Sequence, residues 1–300
     1  MRNAFVFPGQ GSQRPGMAGE VLGAGDGARE VFVLANEICG SDLVELCDKG
    51  DPLLLSRTDY CQIGVAATSL AWLELLRRRG EKPHAVAGHS LGEYCAACAA
   101  GCMSVEDCLR LVWRRGQAML ECSRETPGGM LALVGVGWEA ARELLEESGV
   151  EGRVAFANLN SATQVVLAGD PDDLRNTAAM LRARGIRSVP LKVSGAFHTP
   201  AMARAREAVA RYLETMPLRD PSLTFFSAFT GERVRTASEV AECLSSGITS
   251  PVRWLEVQSR LVENGTERQV EVGPGDVLSR MGSVDHPHVL FVRAAEVTSG

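Results

Sequence analysis

The chain has 300 residues, 45% of them hydrophobic, and a formal net charge of −6 at pH 7. It can therefore bury a sizeable core, and its acidic balance argues against nucleic acid as a partner. Because no apolar run approaches the roughly 18 residues that span a bilayer, and the first residues lack the layout of a signal peptide, we expect a cytoplasmic protein without a membrane partner.

Short β-branched or apolar runs alternate along the chain with segments of 3.6-residue apolar periodicity. This alternation is typical of an α/β fold with a parallel sheet at its core. The predicted strands are residues 4–7, 85–87, 224–227 and 268–272. The predicted helices are residues 59–79, 91–100, 104–122 and 199–215.

The middle of the chain follows a different order of elements. Strands are predicted at 130–136, 153–158, 163–168 and 187–193, with an Asn160-Ser161 turn, and helices at 139–148 and 170–184. This βαββαβ order is ferredoxin-like. We therefore predict a small subdomain at 128–194, inserted into a larger domain made of 1–127 and 195–300, with a ligand cleft between the two.

A serine lies at the tip of a sharp turn between a predicted strand and a predicted helix. The turn reads Gly88-His89-Ser90-Leu91-Gly92. Glycine on both sides allows the strained backbone of such a turn and a close crossing of helix and strand. The hydroxyl then lies beside the free N–H groups of the helix start, which can hold an oxyanion. The turn predicts an α/β-hydrolase-like large domain with Ser90 as the nucleophile.

The nine cysteines are scattered, odd in number and mostly inside apolar runs, as in proteins of a reducing compartment. Cys95 and Cys98 form a C-x-x-C pair, but a redox motif requires an exposed site that stabilises a thiolate. This pair lies in an alanine-rich segment behind the turn, so we favour buried filler. No second pair completes a zinc set, and we expect no metal.

A serine hydroxyl needs a base to take its proton, and five histidines are available. His89 adjoins Ser90 inside the turn, so a structural hydrogen bond is its favoured role. His198 lies where a predicted strand meets a predicted helix, and on this evidence it is either a buried structural histidine or the base. The glycine-rich loop after the first strand places Gln10 at a strand end, where it can present a second oxyanion donor.

Six segments spread over nearly the whole chain form a common pattern. They are Phe7-Pro8-Gly9-Gln10-Gly11-Ser12-Gln13, Gly88-His89-Ser90-Leu91-Gly92-Glu93-Tyr94, Arg115-Gly116, Gly195-Ala196-Phe197-His198, Ser250-Pro251-Val252-Arg253-Trp254 and Glu271-Val272-Gly273-Pro274-Gly275. In this order they resemble the malonyl-CoA:acyl carrier protein transacylase family, which includes the acyltransferase domains of fatty acid and polyketide synthases. The resemblance implies an acyltransferase with malonyl-CoA as substrate, an acyl carrier protein as partner and no permanently bound cofactor.

The resemblance also implies roles for individual residues. Ser90 is the nucleophile that receives the malonyl group, and His198 is its general base. The backbone N–H groups of Gln10 and Leu91 form the oxyanion hole. The main-chain carbonyl of Arg253 orients the histidine, so no acidic residue completes a triad.

Three residues are implied to bind the acyl group. Arg115 pairs with the free malonyl carboxylate, for which a guanidinium offers two parallel charge-assisted hydrogen bonds. Phe197 crowds the α-carbon and so favours malonyl over methylmalonyl. The start of the helix at Thr58-Asp59-Tyr60-Cys61-Gln62-Ile63 departs from the usual Thr-Gln-Pro but retains Gln62 as a substrate-binding residue.

Several alternatives stay open. A discrete, trans-acting polyketide synthase acyltransferase with a different extender unit has the same motifs. An acyl-thioester hydrolase uses the same serine and histidine, although a buried cation such as Arg115 disfavours an uncharged acyl chain. A non-catalytic docking protein is the third alternative. The sequence does not distinguish fatty acid from polyketide synthesis.

Two further segments concern the carrier and the substrate channel. Arg77-Arg78-Arg79 with Lys82 is either a basic patch for an acidic carrier or a solvated helix end. Residues 243–247 replace a more helical approach to Ser250-Pro251, which can alter the channel.

Overall fold

Two β-sheets organise the chain in a computed structural model that describes residues 1–147, 149 and 152–299. The strands are, in chain order, β1 Asn3–Phe7, β2 Ala85–Gly88, β3 Gly129–Val134, β4 Val154–Ser161, β5 Gln164–Gly169, β6 Arg187–Pro190, β7 Thr224–Phe226, β8 Arg233–Val234, β9 Arg268–Glu271 and β10 Leu290–Arg293. The larger sheet has the order β10-β9-β1-β2-β7-β8, and the smaller sheet has the order β4-β5-β3-β6.

Helices surround these sheets. They are α1 Met17–Gly23, α2 Ala28–Cys39, α3 Leu43–Lys49, α4 Pro52–Ser56, α5 Thr58–Arg78, α6 Gly92–Ala99, α7 Val105–Glu125, α8 Trp138–Glu147, α9 Pro171–Ala183, α10 Ala203–Leu213, α11 Ala237–Ser246, α12 Trp254–Glu263, α13 Val277–Asp285 and α14 Ala294–Ser299, with a short 3₁₀ turn at Pro200–Met202. Helix α5 is buried along most of its length, and its apolar side chains share the main core with Phe5, Phe7 and Val86.

The larger sheet is parallel except at one edge. Strand β1 pairs in parallel with β2 and β9, β9 pairs with β10, and β2 pairs with β7, whereas β8 runs antiparallel to β7. Phe7 is opposite Gly88 in the register of β1 and β2. The loops that follow these two strands therefore leave the sheet at the same edge, where parallel sheets bind ligands.

Two glycines allow α6 to cross directly over the strands. A Cβ atom on Gly88 would lie 2.0 Å from the carbonyl carbon of Gly92, and one on Gly92 would lie 1.9 Å from the carbonyl oxygen of Phe7. Neither position has room for a side chain, because the obstructing atoms belong to the backbone. The close crossing that the sequence predicts is present.

The smaller sheet is antiparallel throughout. It is joined to the rest of the protein through backbone hydrogen bonds on both sides of Asn158, where Leu159 N donates to Val252 O (2.8 Å) and Val252 N donates to Ala157 O (2.9 Å). Asn158 and Val252 form an isolated parallel bridge. Val252, in the Ser-Pro-Val-Arg-Trp segment, thus joins β4 by two backbone hydrogen bonds to the part of the chain that leads into α12.

The α/β class is confirmed, and the boundaries of several elements differ from the predictions. The turn between β4 and β5 lies at Ala162 and Thr163, not at Asn160-Ser161, because β4 continues to Ser161 with two register shifts. The strand predicted at 187–193 ends at Pro190. The helix predicted at 139–148 is described as far as Glu147, and residue 148 lies outside the described residues.

Two helical predictions also need correction. The helix predicted at 199–215 begins as a 3₁₀ turn and becomes α-helical at Ala203. Residues 243–246 belong to α11, so the expectation that they interrupt a helical approach to Ser250 is wrong. A capping box formed by Thr236 and Glu239 starts this helix, and such a box satisfies two of the free backbone donors of a helix end.

The cysteines are free, and Cys95, Cys98 and Cys102 are buried, in agreement with a role as small core filler. No helix within residues 1–147, 149 and 152–299 combines the length and the hydropathy needed to cross a bilayer. In the same residues, no group of three or more His, Cys, Asp or Glu side chains is placed to hold a metal ion.

Candidate active site

Ser90 lies in the turn between β2 and α6 with a left-handed backbone, at φ 53°. A non-glycine residue in this region is uncommon and is held there by its surroundings. The two crossing glycines and the hydrogen bond from His89 N to Phe7 O (2.9 Å) fix the turn against β1. The serine side chain is therefore presented at the carboxyl edge of the larger sheet.

His198 is brought to the serine from a segment more than 100 residues away. The Ser90 hydroxyl and the His198 Nε2 atom are 2.8 Å apart. His198 is the second non-glycine residue with positive φ among the described residues, at 62°. Thr199 supports this conformation, because its Oγ1 donates to the Ala196 carbonyl at 2.7 Å.

The imidazole of His198 is set up to accept a proton. Its Nδ1 donates to the main-chain carbonyl of Gly247 at 2.8 Å, which leaves the lone pair of Nε2 facing Ser90. Burial, followed by the nearby charge of Arg115, lowers the pKa of His198 to about 3. The ring is thus neutral at physiological pH and can act as a base toward the serine.

The carbonyl that orients His198 is that of Gly247, and the expectation that Arg253 supplies it is wrong. Arg253 is the N-cap of α12, and its carbonyl accepts the first helical hydrogen bond from Val257 N at 3.2 Å. Gly247 is the C-cap of α11, where carbonyls have no partner further along the helix. The last turn of α11 therefore supplies the acceptor.

Arg115 lies in α7 and, like His198, lies within hydrogen-bond distance of the Ser90 hydroxyl. It is 2% exposed, and its Nη2 donates to Ser90 Oγ at 3.1 Å, whereas its Nη1 donates to Gln62 Oε1. Gln62 is fully buried in α5, and its Nε2 donates to Thr58 Oγ1 at 3.0 Å. A guanidinium in this position can pair with a carboxylate attached near Ser90.

Gln10 completes a chain of polar side chains. Thr58 Oγ1 donates to Gln10 Oε1 at 2.9 Å, so Thr58 connects the loop after β1 with Gln62. The backbone N–H groups of Gln10 and Leu91 have no hydrogen-bond partner within the described part of the chain. Both donors are therefore free, and Leu91 precedes the first turn of α6; the oxyanion hole that the family resemblance implies stays a prediction.

A cleft of ≈ 420 Å³ opens over Ser90. One wall is made by the loop after β1 and by His198, and the other by apolar side chains of the smaller sheet. The lining includes Phe197, Met130, Val166, Leu191, Asn158 and Gln164. Phe197 is 4% exposed and is among the side chains that line the cleft.

His89 has the structural role that its position in the turn predicts. Its Nε2 lies 2.8 Å from Asn160 Oδ1, and Asn160 Nδ2 donates to Gln164 Oε1 at 2.8 Å. His89 therefore ties the serine turn to the smaller sheet. Asn160 was predicted only as a turn residue, and its side chain is committed to this contact instead.

Sequence reasoning missed Thr58 and Gly247. Thr58 carries a signal, because it immediately precedes the predicted helix 59–79 and stands four residues before Gln62, which puts the two on one face if the helix begins one residue earlier, as α5 does. No sequence signal marks Gly247, because it contributes only a main-chain carbonyl, which every residue has. The basic run at Arg77-Arg78-Arg79 lies at the far end of α5, about 22 Å along the helix from Gln62 at 1.5 Å per residue, and is remote from the cleft.

Residues 4–285 match the family model of the acyl transferase domain. The malonyl CoA-acyl carrier protein transacylase of Bacillus subtilis is 34% identical over 278 residues, which cover 92% of this chain and 88% of that protein. The polyketide biosynthesis protein ThaF of Burkholderia thailandensis is 40% identical over 281 residues. That match covers 92% of this chain and 24% of ThaF, so the chain spans about a quarter of this longer relative.

A solved structure gives the same result. A malonyl-transacylase in complex with its type II polyketide synthase acyl-carrier protein superposes with a TM-score of 0.93 at 30% sequence identity, over 100% of this chain and 99% of that chain. The resemblance that the six motifs indicate is confirmed. The chain belongs to the acyl transferase domain family, among the malonyl CoA-acyl carrier protein transacylases.

Proposed function

We propose that this protein transfers a malonyl group from malonyl-CoA to the phosphopantetheine thiol of an acyl carrier protein, through a malonyl ester on Ser90. One observation carries the proposal: the Ser90 hydroxyl is within hydrogen-bond distance of both a neutral imidazole and a buried guanidinium. The first activates a nucleophile, and the second recognises a carboxylate. Malonyl-CoA has both of the groups that such a site requires, a thioester and a carboxylate.

In the first half-reaction, Ser90 Oγ attacks the thioester carbonyl while its proton passes to His198 Nε2. The Gly247 carbonyl holds the other ring nitrogen, so the lone pair of Nε2 stays aligned with the hydroxyl. The tetrahedral oxyanion is bound by the backbone N–H groups of Gln10 and Leu91. When the C–S bond breaks, the imidazolium returns the proton to the CoA thiolate, and the malonyl ester remains on Ser90.

The second half-reaction is the same chemistry in reverse. The carrier's phosphopantetheine thiol gives its proton to His198 and attacks the ester carbonyl, and Ser90 recovers its proton as it leaves. During the interval, Arg115 holds the free carboxylate of the malonyl group. Charge-assisted hydrogen bonds of this kind contribute about 1.5–3 kcal/mol each.

The acyl group that fits best is unsubstituted malonyl. Phe197 is buried beside His198 and lines the cleft, so a methyl group on the α-carbon would meet its ring. Discrimination by one methyl group amounts to about 1–3 kcal/mol. A trans-acting polyketide synthase acyltransferase with a different extender unit is therefore the less favoured alternative, and the pathway stays open.

The expectations about the two domains and about the location of the protein remain proposals. We infer that residues 128–194 form a ferredoxin-like insertion, because the order β4-β5-β3-β6 with α8 and α9 between the strands suits a βαββαβ unit. Residues 1–127 and 195–300 then form an α/β-hydrolase-like domain that carries Ser90. The cytoplasmic location also stays a prediction.

Intact-protein mass spectrometry tests the function. With malonyl-CoA alone, the wild type should gain one malonyl group and the Ser90→Ala variant none, and addition of a phosphopantetheinylated carrier should move the group to the carrier. Arg115→Ala should lose about 10- to 100-fold in preference for malonyl-CoA over acetyl-CoA. Rapid release of free malonate without a carrier would instead establish a hydrolase.

A further inference from the structure

The start of α5 contains a charged pair that no step of the proposed transfer uses. The Arg57 guanidinium donates two hydrogen bonds to the Asp59 carboxylate, from Nε to Oδ1 at 2.7 Å and from Nη2 to Oδ2 at 2.8 Å. The Asp59 side chain is 5% exposed and the Arg57 side chain 38%. The two residues flank Thr58, in the segment where the chain departs from the usual Thr-Gln-Pro. A nearly buried carboxylate is thus fully engaged by one guanidinium.

This ion pair fixes the first turn of α5. Arg57 is the N-cap residue, and its side chain makes no capping hydrogen bond. Asp59 lies in the first turn, where the helix dipole favours a negative charge. Between them, the Thr58 hydroxyl bonds with the side chains of Gln10 and Gln62. The pair therefore holds the chain on both sides of a residue that belongs to the polar network of the site.

The Arg57 guanidinium also connects α5 with α7. Its Cζ lies 4.6 Å from the centroid of the Tyr60 ring. The Tyr60 ring in turn packs against Trp113 of α7, with 5.6 Å between the ring centroids. Trp113 lies two residues before Arg115. A continuous series of contacts thus leads from the Asp59 carboxylate to the helix that carries the guanidinium of the active site.

Helices α5 and α7 make a close backbone contact at the same place. A Cβ atom on Gly116 of α7 would lie 2.8 Å from the Cα atom of Asp59, so there is no room for a side chain at this position. Arg115 directly precedes Gly116, and Gln62 lies three residues after Asp59 on the neighbouring turn of α5. Arg115 Nη1 donates to Gln62 Oε1. The contact between the helices therefore lies next to the hydrogen bond that holds the Arg115 guanidinium.

We propose that Arg57 and Asp59 are positioning residues, which fix the packing of α5 on α7 and so hold the Arg115 guanidinium in place for the acyl carboxylate. The inference rests on the proposed function. Without the ion pair, the first turn of α5 is released and Gln62 shifts relative to α7. The guanidinium then leaves the position in which a malonyl carboxylate needs it. A displacement of about 1 Å can reduce a rate about 100-fold, and a released helix end should cost less than that.

The expected effect is a loss of selectivity, because only one of two related substrates uses Arg115. Malonyl-CoA has a free carboxylate and acetyl-CoA has none. A displaced guanidinium should therefore lower the rate constant of Ser90 acylation by malonyl-CoA more than that by acetyl-CoA, and we expect their ratio to fall about tenfold. A general disturbance of the serine or of the oxyanion donors would lower both rate constants and leave the ratio unchanged.

Rapid-quench mass spectrometry of Ser90 acylation by the two thioesters measures this ratio. Asp59→Asn keeps the size of the side chain and removes its charge, whereas Arg57→Met removes the guanidinium. Each should lower the ratio about tenfold, and the double variant should lower it no further, because the two residues act as a unit. Glu81→Gln is the matched control, since it breaks another partly buried pair, with Arg268 Nη2 at 2.6 Å, at the amino end of β9, and it should leave the ratio unchanged.

The outcomes separate the two proposals. A wild-type ratio in the folded Asp59→Asn and Arg57→Met proteins overturns the positioning role, and the function still stands if Arg115→Ala loses the preference for malonyl-CoA. An equal fall of the ratio in Glu81→Gln also overturns the positioning role, because any lost ion pair would then suffice. A wild type without preference for malonyl-CoA overturns both proposals. Thermal unfolding monitors folding, and Arg57→Met, at the more exposed side chain of the pair, decides the question if Asp59→Asn does not fold.

Discussion

His198 is oriented by a main-chain carbonyl, and this changes its acid–base behaviour. A carboxylate in that position would stabilise the protonated imidazole by charge, whereas the Gly247 carbonyl offers only a dipole. Burial and the charge of Arg115 both oppose protonation. The base is therefore weak, but it is neutral and so available at physiological pH.

The first prediction concerns this low pKa. Because the neutral ring is the active form, the rate of Ser90 acylation at saturating acetyl-CoA should not fall as pH drops through 6.5, the ordinary pKa of histidine. Arg115→Met removes the positive charge that is the second cause of the low pKa of His198. In this variant the loss of acylation rate at acidic pH should therefore begin at a higher pH. Rapid-quench mass spectrometry measures both profiles. A fall in the acylation rate of the wild type near pH 6.5 would contradict a lowered pKa of His198.

The second prediction concerns Thr58, which links Gln10 with Gln62. Thr58→Val keeps the shape but leaves the Gln10 oxygen without its donor, and it leaves Gln62 Nε2 with the weakly accepting Met119 sulfur at 3.4 Å. We expect kcat/KM for malonyl-CoA to fall about tenfold, since one net hydrogen bond contributes about 0.5–1.5 kcal/mol. Thr177→Val, at a fully buried threonine in α9, is the control. Equal losses in both variants would mean a general packing effect.

The residues that sequence reasoning found are those whose side chains carry a visible pattern. Ser90 stands out because glycines flank it, and Arg115 and His198 because they recur in the family motifs. Gly247 does not stand out, since any residue can offer a carbonyl. Which carbonyl points at a ring depends on where α11 ends, and that is a tertiary property.

At the scale of elements, the crossing of α6 over β1 and β2 decides whether Ser90 is presented at all. The third prediction tests it with Gly92→Ala, whose Cβ would meet the Phe7 carbonyl oxygen. Overpacking against backbone should destabilise the protein by about 3 kcal/mol and abolish acylation. Gly23→Ala, where a Cβ meets nothing within 4 Å, should not destabilise it. Chemical denaturation measures the free energy of unfolding, and intact mass measures acylation of Ser90. A Gly92→Ala protein with the stability and the acylation of the wild type would refute the close crossing.

Apolar pattern explains only part of which strands were predicted. Strands β1, β2 and β7 are mainly apolar, whereas β9 was predicted although it contains Arg268, Gln269 and Glu271. Strand β10 was missed although Leu290, Phe291 and Val292 are apolar, because four residues are too few to show a periodicity. The β4–β5 turn was misplaced because Asn160 resembles a turn residue, while the contact with His89 that keeps it in the strand is long-range.

At the scale of the whole molecule, the basic run at the end of α5 and the cleft lie apart. Arg77 donates to the carbonyls of Cys98 and Ala99, and Arg78 pairs with Glu74. These arginines stabilise helix ends, which favours the solvated-helix alternative over a patch for an acidic carrier. Position in the fold, which no local pattern reveals, is what distinguishes the two alternatives.

The fourth prediction follows from this placement. Arg79→Glu reverses a charge at the end of α5 that is remote from Ser90, so KM for a phosphopantetheinylated carrier should stay within about twofold of the wild type, since exposed charges are screened beyond about 10 Å. Steady-state transfer at low and physiological salt measures it. A several-fold rise in KM that disappears at high salt would place the carrier at this end of the molecule.

The bridge between Asn158 and Val252 has a consequence for access to Ser90. Separating the two sheets would break both backbone hydrogen bonds of Val252, so a hinge that swings them apart is disfavoured. We therefore expect the passage to Ser90 to have nearly the same width in the free and in the acylated protein. A narrow, extended thioester chain would suit such a passage better than a bulky group.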